Sequence, residues 1–424
     1  MNGGFQKFKL RMSDALGTSV LSKQFMGFAL VHTFFLIFAN PYGIFINTLL
    51  YRVTGDNRAI LLYNVTFYFF FALSMPLAGL YMRKTSPLIS ARTGIALHIL
   101  LYAAFFVLLF TNRLREGMVL LAAIAAIAST TYWIAFNVLL MMLTSRRSRD
   151  VGLALLGMSA GAVALIMPTF SGNVIARFEG MTGYVIMFGL AMFLSVVTIV
   201  LSTKKLPPVE ATTRKTRYKL AIYDVIHDHL WRLCMCTEFI RGLREGTFAF
   251  FLNVLLFEIV RNEAIVGINT LLVGVLAVLA NWTIGRFLKM EKRVTWMFWA
   301  VNVLFVTCGL LFFSLNAVTI MMMSAVNAYF NVILLNPMAT INFTMYSRNE
   351  RSVQAKYEFL GIKDFCLGMG RCVGVVIVLL FPQVRIGYLL VMMLLTLTQY
   401  LMVFLCSREV RLLNQEEALN EHRE

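Results

Sequence analysis

Long apolar runs separated by short polar segments recur from residue 25 to residue 406. A helix that crosses a bilayer needs about 20 predominantly apolar residues. Twelve stretches meet that requirement: 25–50, 59–82, 88–110, 117–143, 152–176, 181–203, 230–257, 264–287, 294–315, 317–345, 358–381 and 386–406. The pattern predicts an all-α membrane protein with twelve transmembrane helices in two pseudo-symmetric six-helix halves. The longest connection, 204–229, contains Pro207-Pro208 and divides the chain. The expected organisation is a cytoplasmic segment 1–24, a first half 25–203, a cytoplasmic linker 204–229, a second half 230–406 and a cytoplasmic tail 407–424. The first apolar run is too long for a signal-peptide core, and Asn40-Pro41 inside it predicts a kink. At the end of the linker, Leu220, Ile222, Val225, Ile226 and Leu230 predict a short interfacial helix.

Composition supports the membrane assignment and excludes other classes. Of 424 residues, 59% are hydrophobic and 14% charged, against about 25% charged in a typical soluble protein. A soluble enzyme, a nucleic-acid binder and a secreted disulfide scaffold are all disfavoured on that balance. The net charge of +17 follows from basic residues collecting in cytoplasmic segments. With the N-terminus inside, the inner segments hold Lys7, Lys9, Arg83, Lys84, Arg146, Arg147, Lys204, Lys205 and Lys292, among others. The outer segments hold only arginines, such as Arg52, Arg58, Arg113 and Arg261. Both termini are therefore expected in the cytoplasm. Compact loops and short tails point to a prokaryotic cell membrane. The six cysteines lie in or beside apolar runs and read as small buried hydrophobes. His227 and His229 have no cysteine to complete a metal set. No Walker loop or catalytic motif appears, so neither an enzyme nor a cofactor is expected.

The chain repeats itself. "FINTLLYRV" (45–53) aligns without a gap on "FLNVLLFEI" (251–259), placing Asn47 on Asn253, 206 residues apart, and the same offset carries Gly79 onto Gly285. Gly157 and Gly161 match Gly370 and Gly374; each pair is a GxxxG, a spacing that lets helix backbones approach closely. Two equal halves, both termini inside and a basic central linker resemble the major facilitator superfamily of secondary transporters. The family's loop between its second and third helices reads here "GLYMRKTSP" (Gly79 to Pro87). The glycine and the basic pair Arg83-Lys84 are present, and Arg83 stands where the family has an acid. In "GRFLKMEKR" (Gly285 to Arg293), Lys289 takes that position. The resemblance implies that helices 1, 4, 7 and 10 line a central cavity, while 3, 6, 9 and 12 face lipid.

Polar residues inside a membrane are costly, so their placement carries information. They concentrate in spans 1, 4, 7 and 10: His32, Asn40 and Asn47; Asn137; Glu238, Arg241, Arg244, Glu245 and Asn253; Asn327 and Asn331. At about 100° per residue the four charged residues of span 7 share a stripe about 120° wide. Arg241 can pair with Glu238 three residues before it and with Glu245 four after it. Span 11 adds Lys363, Asp364 and Arg371, the last two on one face. At the repeat offset His32 falls on Glu238, so the two are expected to face each other across the pseudo-twofold axis. His98, in span 3, is expected to be peripheral.

Glu238, Glu245 and Asp364 are the candidate proton-coupling groups. Arg241, Arg244, Lys363, Arg371 and His32 are the candidates for substrate contact or charge pairing. Asn40, Asn47, Asn137, Asn253, Asn327 and Asn331 are expected to line the cavity. A carboxylate paired with arginine can exchange its partner for a proton; a static charge network holding the helices is the alternative. The expected function is secondary transport of a small amphipathic or anionic solute by alternating access, proton-coupled, with export favoured over uptake. A flippase for a lipid-linked molecule and a non-transporting scaffold or receptor are the alternatives. The expected partners are a small-molecule substrate, protons and the lipid bilayer, with no nucleic acid, and the protein is expected to be a monomer.

Overall fold

The computed structural model describes residues 21–144, 149–206, 217–346, 348–381 and 384–421. The described residues are almost entirely helical. The first half comprises α1 (Lys23–Thr54), α2 (Asn57–Lys84), α3 (Pro87–Phe110), α4 (Leu114–Leu143), α5 (Arg149–Arg177) and α6 (Thr182–Lys205). The predicted linker helix is α7 (Tyr218–His227). The second half comprises α8 (His229–Val260), α9 (Glu263–Phe287), α10 (Arg293–Leu310), α11 (Ala317–Met345), α13 (Lys356–Leu380) and α14 (Arg385–Glu421), with the short α12 (Glu350–Gln354) before α13. Helix α1 continues through Asn40-Pro41 as one element. Among the described residues, ten helices are long and apolar enough to cross a membrane. Helices α8 and α13, of 32 and 25 residues, also have the length. They fail on composition because they carry Glu238, Arg241, Arg244, Glu245, Lys363, Asp364 and Arg371.

The internal repeat extends into the backbone. Helix α1 ends on Gly55 in the left-handed region (φ 64°), and α8 ends on Arg261 in the same region (φ 53°). The next residues, Asp56 and Asn262, cap α2 and α9 by accepting hydrogen bonds from the N–H groups of Arg58 and Ala264, both at 2.9 Å. The pairs Gly55-Asp56 and Arg261-Asn262 are again 206 residues apart. A left-handed conformation costs a non-glycine residue roughly 1–2 kcal/mol. Arg261 is held there by its Nε donating to the Glu258 carbonyl at 3.1 Å and by its guanidinium lying 4.8 Å from the Tyr51 ring centroid. Side chains repeat too: Asn64 donates to Asn47 Oδ1 at 2.7 Å, and Asn269 donates to Asn253 Oδ1 at 3.0 Å. Each amide pair ties the first helix of its half to the second.

The halves meet along two main seams, α2 against α13 and α5 against α9. Close backbone approach sets both, but the glycines involved differ from the sequence expectation. Gly370 and Gly374 do pack tightly, because they interlock with Gly242 and Gly246 of α8: a Cβ on any of the four would fall within 3.0 Å of backbone on the other helix. Gly157 and Gly161 do not: a Cβ on either meets nothing within 4 Å. The α5–α9 approach instead uses Gly172, beside the Glu263 carbonyl, and Gly267, beside the Pro168 carbonyl. Those contacts lie near the face where α1 ends, termed here the far face. The contact continues at mid-helix, where Gly274 of α9 lies beside Leu165 and Ala164 of α5. At the opposite face α1 begins and the basic residues collect. This is the basic face.

The glycine interlock makes a direct forecast. Replacing Gly370 or Gly246 by Val forces α8 and α13 apart, and overpacking of this kind costs about 1–3 kcal/mol. The melting temperature of the purified protein should fall by several degrees. Gly157→Ala and Gly161→Ala should leave it unchanged. An unaltered melting temperature in Gly370→Val would show the interlock to be dispensable.

Candidate functional site

The glycine contacts place α13 close enough to α8 for their charged side chains to meet. Glu245 accepts from two guanidinium groups: Arg241 Nε on its own helix at 2.6 Å and Arg371 Nη2 on α13 at 2.5 Å. Arg241 reaches back one turn to Glu238 at 3.3 Å. Glu238 also accepts from Asn342 Nδ2 of α11 at 3.0 Å. The result is one alternating chain, Glu238–Arg241–Glu245–Arg371, electrically neutral and joining three helices. Its last member crosses the seam between halves: the Arg371 guanidinium lies 5.8 Å from the Tyr68 ring centroid and 5.9 Å from that of Phe71, both on α2. Arg371 thus takes Glu245 as its partner, not the Asp364 that shares its helix face. Asp364 pairs with the adjacent Lys363 at 3.0 Å.

Four embedded cations (Arg241, Arg244, Lys363 and Arg371) face three embedded anions (Glu238, Glu245 and Asp364). The pairing leaves the excess positive charge on Arg244. Its Nη2 donates to Asn327 at 2.6 Å, its Nη1 to Asn331 at 3.0 Å and its Nε to Thr396 of α14 at 3.2 Å. The guanidinium also lies 4.0 Å from the Phe248 ring centroid. Arg244 is 2% exposed; neutral oxygens and a ring solvate it inside the second half. Asn327 and Asn331, expected as cavity-lining residues, are tied to it.

Two polar recesses lie along the axis between the halves. The outer one has two lobes, of about 180 and 160 Å³, which share Gly43, Asn47, Ala249 and Phe250. Tyr42, Tyr63, Asn64, Tyr68, His98 and Ser129 border the first lobe; Asn253 and Thr270 border the second. Tyr63 donates to Tyr42 Oη at 3.1 Å. His98 therefore borders the cavity instead of the periphery, its ring 5.4 Å from Phe35 and 5.6 Å from Phe38. Sequence reasoning missed it because α3 carries little other polarity. The inner recess, nearer the basic face, is bordered by Asn137, Asp364, Arg83, Tyr218, Glu358 and Gly361. Asn40, on α1, has its Oδ1 buried without a hydrogen-bond partner.

His32 is not set opposite Glu238. Its Nδ1 shares a hydrogen bond with Tyr132 Oη at 3.0 Å, and Phe136 stacks on its ring at 4.1 Å. Phe28, Phe35 and Trp133 complete the enclosure. The offset relation still holds locally: Phe136 and Asn342 are also 206 residues apart, so His32 meets an aromatic ring where Glu238 meets an amide.

Contacts at the two faces complete the geometry. At the far face Glu263, at the start of α9, accepts from Arg52 of α1 at 3.0 Å and from the Tyr184 hydroxyl of α6 at 2.9 Å. At the basic face Glu358 of α13 pairs with Arg83 of α2 and accepts from the Arg217 backbone N–H at 3.1 Å. The missing acid of the signature loop is thus supplied from the other half, with the polarity reversed. Tyr218, the first residue of α7, is positioned beside Gly79 and Gly361. Burial and the neighbouring Glu358 push its phenol above the ordinary value, against the opposing pull of Arg83.

A sequence model of the Major Facilitator Superfamily matches residues 25–356. The uncharacterized protein YqgE of Bacillus subtilis is 26% identical over 340 residues, spanning 79% of this chain and 77% of the relative. A second relative, an uncharacterized protein of Geobacillus stearothermophilus, is 30% identical over 146 residues, or 34% of this chain and 66% of that one. Among solved structures, the E. coli fucose:proton symporter superposes with a TM-score of 0.61 at 14% identity, covering 92% of this chain and 99% of that one. A bacterial homologue of the human drug peptide transporters superposes at 0.65 with 12% identity, covering 94% and 99%.

The charge chain predicts non-additive mutations. Glu245→Gln strands two guanidinium groups, and Arg371→Met leaves Glu245 with one. Removing one member of a buried pair costs on the order of 3–5 kcal/mol, so both single variants should melt well below wild type. The double variant should recover part of the loss, and a double-mutant cycle in detergent measures the coupling. Strictly additive losses would dissolve the pair.

Proposed function

Because the chain belongs to the major facilitator superfamily, we propose that it moves a small amphipathic solute by alternating access, with protonation of Glu245 coupled to the cycle. The observation that carries this reading is the position of Glu245 between Arg241 and Arg371, at the point where α13 meets α2. A proton on Glu245 removes the charge that holds both guanidinium groups. Arg371 would then be free to leave its seat against Tyr68 and Phe71, loosening the seam between halves. Glu238, 1% exposed and held by Asn342, is the reserve acceptor about two turns closer to the basic face. Asp364 borders the inner recess and is a candidate for proton exchange with that side.

Other features support particular parts of the reading. The Arg52–Glu263–Tyr184 contacts tie α1, α6 and α9 together at the far face. Loading from the cytoplasmic side, and hence export, fits those ties and the aromatic first half. The anionic-substrate option needed a free Arg241 or Arg244; both are committed to protein partners. The two lobes, of about 180 and 160 Å³, lie together at the lower end of the roughly 300–1,000 Å³ range of small-molecule pockets, which suits a small solute.

The test is flux in liposomes under an imposed pH gradient, comparing wild type with Glu245→Gln, Glu238→Gln and Asp364→Asn over a solute panel. Gradient-driven flux should fall at least about tenfold in Glu245→Gln, the equivalent of roughly 1.4 kcal/mol of barrier, while the variant stays folded. Wild-type flux in all three variants would reduce these carboxylates to packing charges.

A further inference from the structure

The charges of this protein lie beside the outer recess, not on it. Among the described residues, no Asp, Glu, Lys or Arg borders either lobe. What does border them is a set of neutral polar groups with defined donor and acceptor sense.

The amide orientations follow from the hydrogen bonds. Asn64 Nδ2 donates to the Ile60 carbonyl at 2.8 Å as well as to Asn47. A carbonyl can only accept, so the Asn64 amino group is fixed in place. Asn47 must then present its Oδ1 to Asn64, and its own Nδ2 is left for the recess. On the other side Asn269 Nδ2 donates to Asn253 Oδ1; no carbonyl among the described residues anchors the Asn269 amino group, and in this orientation of the pair Asn253 Nδ2 is left for the recess. No hydrogen bond to a described residue is formed by either free amino group. Asn47 and Asn253 border the same lobe, one from each half, so two donors flank it from either side of the pseudo-twofold axis. His98 complements them. Its Nδ1 must donate to the Gly94 carbonyl at 2.8 Å, which leaves Nε2 of the neutral ring as an acceptor bordering the first lobe. Tyr68 and Phe250 add flat apolar surface.

We infer that the outer recess binds an uncharged, ring-bearing solute carrying both hydrogen-bond acceptors and donors, with an acceptor held between the amino groups of Asn47 and Asn253. The chemistry rejects charged solutes. Bringing an ion into a lobe that offers no counter-charge removes its hydration with no ion pair in return. A ring stacks on Tyr68 or Phe250, and its polar substituents meet the two amides and His98. Sugars and nucleosides share this chemistry. The inference rests on the transport reading of the same site, and it is tested by binding so that it can fail separately.

The purified protein is challenged with monosaccharides, uncharged nucleosides, organic anions and amphipathic cations, and binding is read from the melting temperature and by calorimetry. Stabilisation should come only from uncharged ring compounds, with the sugar and nucleoside arms identifying the source. Asn47→Asp and Asn253→Asp keep the acceptor that Asn64 or Asn269 needs, so the α1–α2 and α8–α9 ties survive. Each loses the donor facing the recess, and affinity should drop about tenfold, as expected for one hydrogen bond. His98→Phe should weaken binding by a similar factor. Binding of the uncharged ring compounds by wild type without any proton-dependent flux would sink the coupling mechanism and leave this inference standing. Stabilisation by charged solutes alone, by no member of the panel, or equally in wild type and both Asp variants would overturn it.

Discussion

A charge in hydrocarbon must find a partner, and two helices of the second half bring Glu238, Arg241, Arg244, Glu245, Lys363, Asp364 and Arg371 into it. The contact that makes pairing possible contains no charge. It is the interlock of Gly242 and Gly246 with Gly370 and Gly374, which brings the backbones of α8 and α13 within touching distance. Side chains larger than hydrogen at these positions would hold the helices too far apart for Arg371 to reach Glu245. Small residues set the distance, the distance permits the ion pairs, and the ion pairs neutralise a stretch of polypeptide too charged to pass as an ordinary span.

The two halves use one backbone plan with different chemistry. The Gly55-Asp56 and Arg261-Asn262 turns, and the Asn47–Asn64 and Asn253–Asn269 pairs, fix equivalent joints in each half. Around those joints the first half places rings: His32 is enclosed by Phe28, Phe35, Tyr132, Trp133 and Phe136. The second half places ions at the corresponding depth. Rings pack without needing partners of opposite sign, so the first half can be stabilised by dispersion and area alone. The second is stabilised by ion pairs within α8 and between α8 and α13.

Access to the axis is set by seams of unequal character. The α2–α13 seam is held along its length, from the Cys372–Val65 contact through Gly368 against Ala72 to the Arg83–Glu358 pair. The α5–α9 seam is tightest near the far face, at Gly172 and Gly267, and continues at mid-helix where Gly274 lies beside Leu165 and Ala164. Glu263 concentrates the far-face closure, because one buried carboxylate, 1% exposed, serves both Arg52 and Tyr184. At the basic face the linker takes part: Arg217 and Tyr218 sit against the ends of α2 and α13, so the chain that joins the halves also touches the seam between them.

The sequence by itself determined the class. Apolar runs of spanning length cannot be placed in water, their number and the basic linker define two halves, and the 206-residue offset is legible in Asn47 and Asn253 without coordinates. The pairing of Arg241 with Glu238 and Glu245 was also legible, because helical periodicity fixes neighbours three and four residues away. Tertiary structure decided everything that depends on which helix lies next to which. It gave Glu245 to Arg371, left Arg244 among neutral oxygens, closed His32 within aromatic rings and turned His98 toward the axis. It also separated two GxxxG motifs that look alike, one buried against a partner helix and one facing open space. The reason is geometric: spacing along a helix is set by the backbone, whereas the face a helix presents, and what meets it, is set by packing over the whole bundle.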